Sequence, residues 1–252
     1  MPVPRFFILH SPFLLVLDLI LFSIGVPLVA ISAMIFPTLG FLATPFDRDG
    51  SIYIGFMRIW ARIVLFLLRI RFRVIGTEHI ASGKPYIYII NHASWLDVPL
   101  LTAAIPDELL FLYKRELRTV PIWGWGLHFS PHIEVQRTDP RNAMAGIEEA
   151  ARLIRERRKS VAIFPEGTRS TTGELLEFKR GGFLLAAKTG VPLVPIAIRG
   201  SAKNLPKGGF RVTPGRVDII IGEPIPNPGN LNRVQEKELL AVTRARLEEM
   251  LA

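Results

Sequence analysis

The residues best equipped for chemistry lie in two short runs, each directly after an apolar stretch. The first is Asn91-His92-Ala93-Ser94-Trp95-Leu96-Asp97. An imidazole takes up a proton near neutral pH, and a nearby carboxylate that holds one ring nitrogen leaves the other to act as a base. His92 and Asp97 have that relation. A structural reading uses the same letters, with Ser94 and Asp97 as a helix-capping pair and His92 as a loop histidine. The second run is Phe164-Pro165-Glu166-Gly167-Thr168-Arg169-Ser170. Gly167 lets the backbone turn closely, Arg169 offers a planar fork of donors for two phosphate oxygens, and Glu166 offers acceptors to a polar head group. Here the structural alternative is an ordinary turn carrying an incidental Glu and Arg.

Other cations stand at the ends of apolar runs: Lys114, Arg137, and Lys179 beside Arg180. Converging on one sheet edge they would make a phosphate site, whereas singly each is a solvated surface charge. The sequence contains no cysteine, which removes thiolate nucleophiles, disulfides and thiolate metal sites. It also lacks a Gly-x-Ser-x-Gly elbow, so a covalent acyl-enzyme has no obvious nucleophile. His128 and His132 have the spacing of a metal pair, but Pro131 interrupts a regular helix and no third ligand is evident. No metal site and no cofactor are expected.

These residues need a scaffold, and the patterning supplies one. Short β-rich runs are expected as strands at Arg71–Gly76, Tyr86–Asn91, Leu109–Tyr113, Ile133–Gln136, Val161–Phe164, Leu193–Arg199 and Arg216–Gly222. Helices are expected at Ser94–Ala104, Arg141–Arg158, Gly181–Thr189 and Asn232–Leu251. The alternation indicates an α/β fold, a mixed β-sheet flanked by helices. His92 then stands at the C-terminal edge of a strand, where open α/β sheets bind ligands.

Upstream the chain changes character. From Phe13 to Ala43 the only charged residue is Asp18, and roughly 20 apolar residues suffice to cross a hydrocarbon core. Pro27 and Pro37 leave three courses open: a single span, a kink, or a re-entrant hairpin. A cleaved leader competes with these, because Ala30-Ile31-Ser32-Ala33 offers small residues, although only Arg5 precedes the run as a basic flank. Ile52–Ile70 reads as an apolar helix with Arg58, Arg62 and Arg69 in one narrow stripe, which suits a membrane interface better than a broad solvated face. Residues 1–70 are therefore expected to form a membrane-associated helical segment and residues 71–252 the α/β domain. Basic residues gathered after the apolar run place that domain on the cytoplasmic side.

The 252 residues are 49% hydrophobic, with a net charge of +9. The mean hydropathy is +0.32. The charge calls for an anionic partner, and the apolar N-terminal segment favours a bilayer and phosphate-bearing lipid over nucleic acid.

The pairing Asn-His-x-Ser-x-x-Asp with Phe-Pro-Glu-Gly-Thr-Arg-Ser resembles the glycerolipid acyltransferase family, especially its 1-acylglycerol-3-phosphate (lysophosphatidic acid) acyltransferases. Val191-Pro192-Leu193-Val194-Pro195-Ile196 and Phe178-Lys179-Arg180-Gly181 resemble further family segments. The resemblance runs from about Val74 to Gly222. It implies that His92, oriented by Asp97, deprotonates a lysolipid hydroxyl that attacks the thioester of acyl-CoA or acyl carrier protein. It further implies that Glu166, Gly167, Thr168 and Arg169 bind the glycerol phosphate, with Arg137, Lys114 and Lys179 as additional substrate-binding positions. Gln136 stands where the family usually has Asp. The alternatives are a different lysolipid acceptor, release of the acyl group to water, or a non-enzymatic protein that binds anionic lipid.

Overall fold

The computed structural model describes residues 12–120, 123–136, 140–209 and 211–252. In chain order they form α1 (Pro12–Ala43), α2 (Ser51–Leu67), β1 (Ile70–Ile75), β2 (Ile87–Ile90), α3 (Asp97–Ala104) and β3 (Leu109–Lys114). Next come α4 (Trp123–His128), β4 (Ile133–Val135), α5 (Pro140–Arg157), β5 (Ser160–Ile163) and α6 (Gly181–Thr189). The chain closes with β6 (Leu193–Arg199), α7 (Ser201–Asn204), β7 (Gly215–Ile221) and α8 (Arg233–Leu251). Every strand lies within about one residue of its expected span. The short helices α4 and α7 were not anticipated, being too brief for an apolar period to register.

The apolar N-terminal run is one helix, not a hairpin, with Pro27 and Pro37 inside it. Ser23–Ala43 is long and apolar enough to cross a membrane, and little of it is buried. α1 and α2 pack antiparallel: Gly25 lies against the Leu67 carbonyl and Gly40 under the Tyr53 ring. Only a residue without a Cβ fits at Gly40, because an added Cβ would come within 2.5 Å of that ring.

α2 buries Tyr53, Ile54, Met57, Ala61, Val64 and Leu65. The segment expected to be membrane-associated therefore also supplies a layer of the α/β core. The three-arginine stripe expected on this helix does not form. Arg58 donates to the Ile105, Pro106 and Asp107 carbonyls in the loop just beyond α3. α2 stops at Leu67, and Arg69 sits outside it with φ 56°.

The sheet has seven strands in the order β1-β7-β6-β2-β5-β3-β4, and every neighbouring pair is parallel except β6–β7. This is the mixed sheet expected. Alternation along β2 divides the core in two. Ile87 and Ile89 join Ile147, Ile154, Phe183 and Leu247 under α5, α6 and α8. Tyr88 and Ile90 join Ala61, Leu65, Leu100 and Leu101 under α2 and α3. Strand polarity also sorts the ends. β2, β3, β5 and β6 finish at one edge, and because β7 runs against β6, β7 and β1 begin at that same edge.

The edge is opened by Asn91. Its side chain extends the β2–β6 ladder by one step, accepting the Ile198 N–H at 2.7 Å and donating to the Ile198 carbonyl at 3.1 Å. A side chain thus does the work of a backbone amide, and the main chain at His92 is free to bond elsewhere. Asn91→Leu strands both buried Ile198 groups, and we expect it to lower unfolding free energy by about 2–4 kcal/mol, read from the urea midpoint at unchanged m-value.

Candidate active site

His92 is held at every polar atom but one. Its N–H donates to Glu166 Oε1 at 2.7 Å, and its carbonyl accepts the Ser170 N–H at 2.7 Å, so the second run grips the first by its backbone. The ring stacks on Phe164 with centroids 4.0 Å apart. Nδ1 lies 2.8 Å from Asp97 Oδ2. That oxygen also accepts the Ala93 and Ser94 N–H groups, each at 2.8 Å. Asp97 is fully buried; its Oδ2 meets these three donors, while its Oδ1 makes no hydrogen bond among the described residues. An ionised carboxylate accepts only, so Nδ1 carries the proton and the Nε2 lone pair is presented outward. Nε2 makes no hydrogen bond among the described residues.

The capping reading of this run is not met: the N-cap of α3 is Leu96, which has no side-chain cap. Ser94 Oγ accepts the Leu96 N–H at 3.1 Å and Asp97 accepts the Ser94 N–H, so the two side chains hold the turn ahead of the helix. α3 begins at Asp97, later than expected, because residues 95 and 96 form a turn. Ser94 Oγ also donates to the Leu205 carbonyl at 2.8 Å, tying down the stretch after α7.

Glu166 was expected to face a head group, but it faces inward. It is 3% exposed, and its second oxygen accepts the Leu176 N–H at 3.0 Å. Both oxygens are taken by main chain because a buried carboxylate must be satisfied by the nearest donors. Burial pushes its carboxyl up, and the His92 and Leu176 amides oppose that shift. Gly167 has φ 69°, and a Cβ there would meet Lys179 Nζ at 2.9 Å. Lys179 thus crosses the turn that glycine permits, and its own N–H bonds the Pro165 carbonyl at 2.8 Å.

Arg169 lies over Trp95, its guanidinium carbon 4.3 Å from the ring centroid. Its Nη1 is buried and unbonded among the described residues, leaving a donor that an anion would satisfy. Burial pulls this guanidinium below its ordinary range, and the charge of Asp97 opposes that. Thr168 is exposed and receives Lys207 Nζ at 3.3 Å, while the same ammonium bonds the Arg169 carbonyl at 2.8 Å. Trp95 and Lys207 escaped the sequence reading. Trp95 lies inside the first run, where its type could have suggested a partner for an arginine, but nothing in the spacing singles out Lys207.

Lys114 reaches the same sheet edge on β3, separated from β2 by β5, and pairs with Glu116 at 3.3 Å. Arg137 lies outside the described residues. Its neighbour Gln136 accepts from Arg115 at 2.9 Å and Asn142 at 2.8 Å. The structure therefore gathers His92, Asp97, Glu166, Gly167, Arg169 and Lys179 and leaves Lys114 apart. His132 is a core histidine, edge-on to Tyr53 and Phe111, and burial pushes it down to about 4.

A family model described as acyltransferase matches residues 71–199, a span containing both runs. The chain is 32% identical over 199 residues to the 1-acyl-sn-glycerol-3-phosphate acyltransferase of Pseudomonas aeruginosa, covering 77% of this chain and 76% of that one. It is 34% identical over 183 residues to the chloroplastic 1-acyl-sn-glycerol-3-phosphate acyltransferase BAT2 of Brassica napus, covering 71% of this chain and 52% of that one. It thus spans about half the length of the plant relatives it matches. The crystal structure of the 1-acyl-sn-glycerophosphate (LPA) acyltransferase PlsC from Thermotoga maritima superposes with a TM-score of 0.74 at 25% identity, covering 93% of this chain and 96% of that one.

Glu166 carries a sign that titration can read. Its folded value lies above its unfolded one, so its contribution to stability is complete below the ordinary glutamate range and is lost as pH rises through the folded value. Glu166→Gln removes that slope and replaces one acceptor by an amide donor, and we expect it to cost about 1–3 kcal/mol in denaturant melts at mildly acidic pH.

Proposed function

The chain belongs to the acyltransferase family, and from that premise we propose that it moves a fatty acyl group from an acyl thioester to the free sn-2 hydroxyl of 1-acylglycerol-3-phosphate, forming phosphatidic acid in phospholipid synthesis. The observation that carries this is the His92–Asp97 contact of 2.8 Å on a backbone clamped by the second run, with the buried Arg169 nitrogen on the same loop. The donor is acyl-CoA or acyl carrier protein, and no cofactor takes part.

In this reaction His92 Nε2 removes the hydroxyl proton as the oxygen attacks the thioester carbonyl, and Asp97 stabilises the resulting imidazolium. When the tetrahedral intermediate collapses, the C–S bond breaks and the thiolate takes the proton back from His92. The products are an ester and a free thiol, and the base is regenerated. Arg169 binds the acceptor phosphate, assisted by Lys179 and Lys207, while Lys114, paired with Glu116, takes no part. Glu166 acts as a positioning residue, setting the His92 backbone.

The exposed apolar flank of α1, including Ile24, Leu28, Ile31 and Ile35, supports a seat on the bilayer, and the basic residues that follow it in sequence support a cytoplasmic domain. One feature favours a second reading, a different lysolipid acceptor: Gln136 replaces the usual Asp and is already engaged by Arg115 and Asn142.

Thiol release from each acyl donor, with and without lysophosphatidic acid, tests the proposal. We expect acceptor-dependent release that collapses in His92→Ala and falls about 10³–10⁴-fold in kcat for Asp97→Asn, through the wrong tautomer. Arg169→Ala should raise the acceptor KM in preference to lowering kcat. Release that needs no acceptor defines a hydrolase, release only with other lysolipids changes the acceptor, release unaltered in His92→Ala removes His92 as the base, and no release from either donor with any lysolipid leaves a lipid-binding protein.

A further inference from the structure

A second cationic feature lies on the His92 edge of the sheet, away from both runs. On the β1–β7 ladder Arg71 stands directly opposite Arg216. Neighbouring strands run roughly 4.8 Å apart, and like charges facing each other across a ladder are destabilising. Two residues along, on the same face, Arg73 opposes Asp218, and the pair forms a two-pronged ion pair with contacts of 3.1 and 3.0 Å. The fold thus neutralises one rung and leaves the next doubly positive. Among the described residues neither the Arg71 nor the Arg216 side chain makes a hydrogen bond or ion pair, and both are exposed.

The two arginines border a groove of about 430 Å³, whose other walls include Leu65, Phe66, Arg69 and Pro214. That volume is in the range that admits a small ligand. Phe66 is 80% exposed at its rim, so an apolar surface adjoins the charge. α1 crosses at this point, with Gly25 against the Leu67 carbonyl, and its exposed Ile24 and Leu28 flank the crossing. From Gly25 back to Pro12 the helix continues past the end of α2. Cations backed by aliphatic walls, beside a long apolar helix, match a phosphate whose attached chains remain in lipid.

We propose that this groove binds the head group of an anionic phospholipid of the bilayer, at a site separate from the catalytic one, and so fixes which sheet edge faces the membrane. The proposal rests on the bilayer seat of α1 described above and not on acyl transfer. One phosphate accepts from both guanidinium groups and removes the repulsion between them.

Native mass spectrometry of the full chain in neutral detergent, titrated with phosphatidylglycerol or phosphatidylcholine, tests it. We expect wild type to retain one phosphatidylglycerol preferentially, and Arg71→Gln with Arg216→Gln to weaken retention about 25-fold, five-fold for each arginine near an anionic lipid. Melting temperature and turnover in neutral detergent should stay at wild-type values, and Arg73→Gln should retain lipid normally. Equal retention of phosphatidylcholine, loss of lipid to millimolar inorganic phosphate, undiminished retention by the double variant, or an equal deficit in Arg73→Gln each overturns the proposal. So does a fall in turnover that matches the fall in retention.

Discussion

The short bond from the His92 N–H to Glu166 is the constraint on which the site turns. A carboxylate that deep in the protein has to be surrounded by donors, and here they are the backbone of His92 and of Leu176. Holding the main chain fixes where the ring stands. Asp97 then needs only to choose the tautomer, which it does while also binding the two amides that follow the histidine. Two buried acids divide the contacts between them: Glu166 holds the His92 main chain, and Asp97 holds its ring.

Around this pair the sheet acts as a sorting device. Parallel β2 and β5 carry the two runs off the sheet side by side, and β6 lends its Ile198 backbone to Asn91. The consequence reaches beyond β6, because α7 and the stretch after it are fastened to both runs, by Ser94 at Leu205 and by Lys207 at Arg169. A segment far along the chain thus becomes part of the same wall.

Much of this was legible in the letters. The strands announce themselves as short β-branched runs, and the two chemistry-bearing runs stand out because their residue types match a task. What stayed hidden depends on closure in three dimensions. Arg58 lay on a helix whose pattern suggested lipid, yet its charge goes to carbonyls beyond α3, some fifty residues later. Glu166 has the chemistry of a ligand-binding residue, and only burial reveals that its acceptors are already used. Lys207 sits in a Pro-Gly turn where a lysine is usually solvated, and its partners are set by a loop crossing that no local period encodes.

The single antiparallel step between β6 and β7 has an energetic side. For the acceptor proposed here, each methylene drawn from lipid into water costs on the order of 0.8 kcal/mol. Because β7 and β1 reverse direction, α2 ends, and α1 passes, at the edge where His92 waits. Had those strands run the other way, α1 would meet the opposite edge, and under the proposed function a lipid tail would have to cross the height of the sheet through solvent. On that proposal, one strand reversal keeps the tail in oil while the head group reaches His92.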